Sequence, residues 1–182
     1  AVVAIEARDP WWARLLAEPA LSVIDDDLIG DAQRPGLFVV ALARTVGPKG
    51  RVFAVEIDEG FFPGIVKRAA DAGVGNVQTV LGTFTDPALP VKNIDAAFFH
   101  DVLHHVAGRA EYLKALAPYL SSTGRIIVVD YEGGQGPHRA DDTLQVPREQ
   151  LSSWMAAIGF LQVEEVKLFT DKYVLVFGRS LR

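Results

Sequence analysis

Residues 100–106 read HDVLHHV, so three of the chain's four histidines fall between His100 and His105, with Asp101 beside the first. An imidazole changes charge near neutral pH, and a neighbouring carboxylate can orient its ring, so the cluster has the parts for taking up or returning a proton. His100 and His104 also stand at i and i+4, the spacing that puts two metal-ligating imidazoles on one helix face. The residues just before them, DAAFF (95–99), instead have the pattern of a buried strand ending at about His100. The two rings are then not expected to share a helix, and no metal site is expected. Each histidine also has a plainer reading, packed against a sheet and bonded to backbone. Asp130, near the end of RIIVVDY, and His138 are secondary candidates. His138 lies in the glycine- and charge-rich stretch YEGGQGPHRADD (131–142), which reads either as a lid over a substrate or as a surface loop.

A second group of residues suits a nucleotide-like ligand. Glu56 closes the β-branched run RVFAVE. Ligands of open α/β sheets sit beyond the carboxyl ends of the strands, where such an acid can accept hydrogen bonds from both ribose hydroxyls or simply face solvent. Asp58 is the less favoured donor of that carboxylate. Upstream, DDDLIGDAQRPGLF (25–38) lies between two apolar runs, a strand–loop–helix arrangement in which α/β proteins often hold a cofactor. Ala32 and Arg34 stand near where glycines would be expected.

These groups need a scaffold, and the hydrophobic pattern supplies one. Strands are predicted within 51–58, 76–82, 93–103 and 125–131. Helices are predicted over 61–73 (Ile65, Ala69 and Ala72 on one face), 111–120 (Leu113, Leu116, Leu120) and 146–160 (Leu151, Trp154, Met155, Ile158), with Gly73 and Gly159 as stops. LQVEEVKLF and KYVLVFGR, separated by Thr170 and Asp171, read as an antiparallel hairpin. Residues 1–20, with Trp11, Trp12, Leu15 and Leu16, read as an N-terminal helical segment packed on the body formed by 21–182. Strands alternating with helices imply a mostly parallel sheet covered on both faces.

The bulk numbers narrow the function. A chain of 182 residues, 49% hydrophobic and 23% charged, is one domain with a sizeable core. A net charge of −5 with scattered Lys and Arg argues against a nucleic-acid groove. No cysteine is present, which removes disulfides, thiolate metal sites and thiol nucleophiles. No apolar run approaches the roughly 18–20 residues of a membrane span, and no signal peptide is indicated. A cytoplasmic protein without a membrane partner is expected; no feature specifies its oligomeric state.

From about residue 20 to 178 the order of elements resembles the class I S-adenosylmethionine-dependent methyltransferases, in particular their small-molecule branch. GLFVVALARTVGPKGRVFAVEID (36–58) is similar to the family's first helix, Gly-Pro turn and second strand. NVQTVLGTFTDPALPVKNIDAAFFHDVLHHV (76–106) resembles its third and fourth strands, and LAPYLSSTGRIIVVDY (116–131) its following helix, turn and fifth strand. Ser122 and Thr123 replace the usual Pro and first Gly of that turn. The resemblance implies a Rossmann-like three-layer sandwich, α/β, with a mostly parallel seven-stranded sheet and a C-terminal antiparallel hairpin. It implies S-adenosylmethionine as cofactor and a small-molecule methyl acceptor as partner.

The resemblance also assigns residues. Glu56 would lie at the ribose, Ile57 elsewhere along the cofactor, Thr83 and Phe84 at the adenine, and His100 and Asp101 at the methionine end, while Asp101, His104 and His105 would serve the transfer. The family's first motif, D-x-G-x-G-x-G, can be placed in two ways. Counting back from Gly36 without gaps sets Gly30, Ala32 and Arg34 where Asp, Gly and Gly would stand. Taking LSVID (21–25) as the first strand makes Asp25 the motif acid, in a longer loop that still contains Gly30 and Gly36. The second is preferred because LSVID is the better strand. An altered loop leaves open a protein that keeps the fold without the chemistry, acting as a binding or regulatory partner. A dinucleotide-dependent oxidoreductase would require G-x-G-x-x-G, which is absent.

Overall fold

The computed structural model describes residues 2–6 and 38–180. In chain order they form β1 (Val2–Glu6), α1 (Val39–Val46), β2 (Arg51–Glu56), α2 (Phe62–Asp71), β3 (Val77–Leu81), β4 (Ile94–His100), α3 (Arg109–Leu116), β5 (Leu120–Tyr131), α4 (Arg148–Ala157), β6 (Phe160–Val166) and β7 (Lys172–Arg179). The seven strands make one sheet in the order β3-β2-β1-β4-β5-β7-β6. Pairing is parallel between β2 and β3 and between β4 and β5, whereas β1 and β7 run antiparallel to both of their neighbours. Five strands therefore share one direction, and β1 and β7 oppose them.

Alternation along the strands builds the two outer layers. In β4, Ala97 and Phe99 face a core shared with Leu113 and Leu116 of α3 and Leu151 and Met155 of α4. Ala96 and Phe98 face the opposite core, with Val39 and Leu42 of α1 and Ile65 of α2. This is the expected Rossmann-like three-layer sandwich, its sheet buried on both faces as apolar strands of such a sheet must be. Asn76 secures the turn from α1 to β2 by donating to the carbonyls of Ala43, Gly47 and Gly50 at 2.9–3.2 Å. Among the described residues no helix is long and apolar enough to cross a membrane.

Two expectations are corrected. Val2–Glu6 is a strand and not part of a helix, and it takes the central slot expected for LSVID, running against β2 and β4. The physical reason is that a central slot demands apolarity on both faces and little else. Val2, Val3, Ala4 and Ile5 are all buried and meet that demand in either direction. Residues 7–37, which include LSVID and the two tryptophans, lie outside the described residues. The C-terminal hairpin is present, but its connection runs over 167–171, longer than Thr170-Asp171, because β6 ends at Val166.

The direction of the strands places the chemistry. Glu56, Leu81, His100 and Tyr131 end β2, β3, β4 and β5 on one edge of the sheet. Antiparallel β7 delivers its first residue, Lys172, to that same edge opposite Tyr131.

Candidate active site

After β4 the chain makes a short 3-10 turn over Leu103–His105. That turn buries His104, whose Nδ1 lies 2.8 Å from Oδ1 of Asp130, itself buried near the end of β5. A carboxylate can only accept here, so Nδ1 carries the hydrogen and Nε2 keeps a free lone pair. Oδ1 of Asp130 also accepts from the Tyr131 N–H at 2.9 Å, while Oδ2 is buried with no hydrogen-bond partner. His104 and Asp130 line a small cleft with Tyr131, Gln135, His138 and Gln145.

Exposed His105 and half-buried His138 complete a group of three imidazoles, with ring centroids 4.2 Å (104–105), 5.4 Å (104–138) and 5.1 Å (105–138) apart. The His105 pKa is lowered, first by desolvation and then by the adjacent His104 and His138. A side chain absent from the sequence reading holds this group together. Arg109, at the start of α3, donates to the carbonyls of Leu103 (3.2 Å), His104 (2.6 Å), Thr143 (2.6 Å) and Gln145 (3.1 Å). Gln145 in turn donates from Nε2 to the His138 carbonyl at 2.8 Å. Arg109 thus clamps the His104 turn to the segment that carries His138. Arg109→Ala is expected to lower the unfolding free energy by about 2–3 kcal/mol, as loss of charged donors to backbone acceptors costs. Urea denaturation checks this, and a midpoint equal to wild type would refute the clamp.

Asp101 belongs to a different group. Its backbone is held at φ 48°, with its N–H bonded to Val129 O at 3.0 Å. Oδ2 sits 3.0 Å from Lys172 Nζ and 3.2 Å from His100 Nδ1, and Oδ1 is buried without a hydrogen-bond partner. The Lys172 side chain is wholly buried, its ammonium 4.8 Å from the Tyr131 ring centroid and 5.4 Å from that of Phe169. Burial acts to raise the Asp101 pKa, but the hydrogen bond and charge of His100 and the charge of Lys172 outweigh it and hold the carboxyl below its ordinary value. His100 packs on Phe38 with centroids 4.2 Å apart. The trio Asp101, His104 and His105 expected from sequence is therefore divided. His104 and His105 stand with Asp130 and His138, while Asp101 stands with His100 and Lys172.

The ends of β2 and β3 form the third part. Gly82 N–H donates to Glu56 O at 2.8 Å, and a Cβ on Gly82 would come within 2.8 Å of Val55 and 3.2 Å of the Asp86 carbonyl, so only glycine lets the chain pass so close. Asp58 caps the next turn, accepting from Gly60 N–H at 2.8 Å, and Glu56 is the last residue of β2. The Thr83 hydroxyl accepts from the Asp86 N–H at 2.9 Å and serves its own turn. Ile57, Leu81 and Phe84 present apolar side chains to solvent, Phe84 at 63% exposure. Asp25, Gly30 and Gly36 lie outside the described residues. Lys172 was the other residue missed from sequence; its signal is a cation opening the apolar run YVLVF of the strand KYVLVFGR.

Known proteins share this fold. The methyltransferase domain family matches residues 33–128. Nocamycin O-methyltransferase of Saccharothrix syringae is 31% identical over 164 residues, 84% of this chain and 50% of that protein, so the chain spans about half the length of this curated relative. A SAM-dependent methyltransferase from Aquifex aeolicus superposes with a TM-score of 0.72 at 16% identity, covering 95% of this chain and all (100%) of the other. The O-methyltransferase NcsB1 from neocarzinostatin biosynthesis, solved with S-adenosylmethionine and 2-hydroxy-5-methyl naphthoic acid, gives 0.66 at 18% identity over 93% of this chain and 61% of that one. The 1,6-didemethyltoxoflavin-N1-methyltransferase of Burkholderia thailandensis gives 0.61 at 20% identity over 98% and 96%. At these identities the structural likeness is one of fold.

Proposed function

The chain belongs to the methyltransferase domain family, and on that premise we propose that it transfers a methyl group from S-adenosylmethionine to a hydroxyl of a small-molecule acceptor. The observation that carries this reading is the buried His104–Asp130 pair at the edge of the sheet where β4 and β5 end. When bound, S-adenosylmethionine supplies a methyl group already activated on a sulfonium, so alignment makes up much of what the protein must contribute.

The residues present suit that cofactor. Glu56 would accept the ribose hydroxyls, and exposed Phe84, Ile57 and Leu81 offer apolar surface to a flat base. Asp101, kept ionised and with Oδ1 unpartnered, would take the ammonium of the amino-acid end. Nε2 of His104 takes the proton of the acceptor hydroxyl. Asp130 holds the ring in the tautomer that allows this and stabilises the imidazolium that results. His105, exposed beside His104, would orient the acceptor. A base is needed where the acceptor holds its proton tightly, which favours a hydroxyl over a thiolate. The net charge of −5 favours a small molecule over nucleic acid.

Calorimetric titration with S-adenosylhomocysteine tests the reading, with saturable binding expected. No heat and no thermal shift at millimolar ligand would remove it. Glu56→Ala is expected to weaken that binding about 10–100-fold, the worth of one hydrogen bond to a charged acceptor. An unchanged affinity would take Glu56 out of the ribose site.

A further inference from the structure

We propose that His104, His105 and His138 form a binding site for a divalent cation of the zinc class. Each residue offers one ring nitrogen, and the three nitrogens lie within 4.8 Å of one another. Zinc–nitrogen bonds of about 2.0–2.1 Å in a tetrahedron set nitrogens about 3.4 Å apart. Small side-chain rotations of exposed His105 and half-buried His138 would close the difference. His104 would act as the fixed member, since its buried ring is already held from behind.

That hold is the second observation. Nδ1 of His104 is bonded to the Asp130 carboxylate, which makes Nε2 the ligand atom. A carboxylate behind a ligating histidine fixes the tautomer and raises the basicity of the ligand. The other segment is secured as well, by Gln145 on the His138 carbonyl and by Arg109 on the carbonyls of both His104 and Gln145. An inner set of three imidazoles with no carboxylate suits Zn²⁺, Co²⁺, Ni²⁺ or Cu²⁺ and disfavours Mg²⁺ and Ca²⁺. Three protein ligands leave a fourth position for water or an oxygen donor, and the small cleft beside His104 and His138 is bordered by Tyr131, Gln135 and Gln145. This is not the His100–His104 pair suggested by sequence spacing, because His100 lies on β4 and packs on Phe38.

Cation binding stands on this geometry whether or not the protein transfers methyl groups. Its effect on turnover rests on the proposed reaction: a cation on Nε2 takes the lone pair that would accept the proton, so a loaded site slows transfer. The test is titration of the chelator-treated full chain with Co²⁺, followed by the visible absorption of the metal. One equivalent with the intense bands of a four- or five-coordinate site is expected, displaced by Zn²⁺. His138→Ala, His138→Gln and His105→Ala, at half-buried and exposed positions, should each weaken binding by at least about tenfold, and Asp130→Asn by about 10–100-fold. Only the faint bands of octahedral cobalt, or binding that survives His105→Ala and His138→Ala in folded protein, would overturn the site. S-Adenosylhomocysteine calorimetry on the metal-free protein separates the two proposals. Its failure removes the transferase reading and leaves the cation site standing.

Discussion

His104→Gln is expected to lower kcat for methyl transfer by about 10²–10⁴-fold, the usual contribution of a positioned general base, and to leave the affinity for S-adenosylhomocysteine unchanged. Glutamine is chosen because its amide can still donate to Asp130. An alanine would leave a buried carboxylate with one donor fewer, confounding the kinetic loss with a loss of stability. Single-turnover kinetics on chelator-treated protein, beside calorimetry of cofactor-product binding, separates the chemical step from binding. Asp130→Asn provides the second arm. Its side chain can donate to Nδ1, which favours the tautomer with the hydrogen on Nε2, so it too should depress kcat with little change in KM. Wild-type kcat in His104→Gln would show that the imidazole touches no reacting proton and is there for packing alone.

Lys172→Met is expected to lower the unfolding free energy at neutral pH by about 2–4 kcal/mol. Breaking a fully buried ion pair by removing one partner costs about 3–5 kcal/mol. The smaller figure follows because Asp101 keeps 23% side-chain exposure and His100 as a neighbour. The pH dependence follows from the lowered pKa of Asp101 in the native protein. In the wild type its contribution to stability is complete above the unfolded carboxyl pKa and is lost as pH falls through the lower folded value. Without the ammonium, one of the groups that lower this carboxyl's pKa is lost and the folded value rises. Between the two folded values the variant holds a proton that the wild type does not, so the stability gap widens as pH rises and narrows as pH falls. Urea melts across the acid range measure that gap. A gap independent of pH would show that Lys172 acts through packing on Tyr131 and Phe169 instead. Asp101→Asn combined with Lys172→Met should recover part of the loss, since no buried carboxylate then lacks its cation.

The structure also shows why the sequence grouped the histidines imperfectly. His100 to His105 are contiguous, but the strand ends at His100, and the backbone of Asp101 then turns at positive φ. That turn sends Asp101 towards Lys172, while the following 3-10 turn carries His104 under the end of β5 to Asp130. Partners 26 residues apart for His104 and 71 for Asp101 leave no local signature, since nothing in a window of ten residues records which strand lies alongside.

What the sequence determined by itself is the family and the elements from α1 to β7. Runs such as RVFAVE and IDAAFF, buried on both faces, form sheet strands wherever they are placed, and Leu113, Leu116, Leu151 and Met155 recur at helical spacing. Local periodicity specifies burial, and burial specifies these elements. Tertiary structure alone decided strand direction and the pairing of charges. Val2 to Ile5 fill the central slot against their neighbours, because apolarity does not encode direction. Antiparallel β7 brings buried Lys172 beside Asp101, and a loop returning over β5 sets His138 beside His104 and His105. Those juxtapositions come from the order in which strands pair, a property of the whole sheet that no single segment carries.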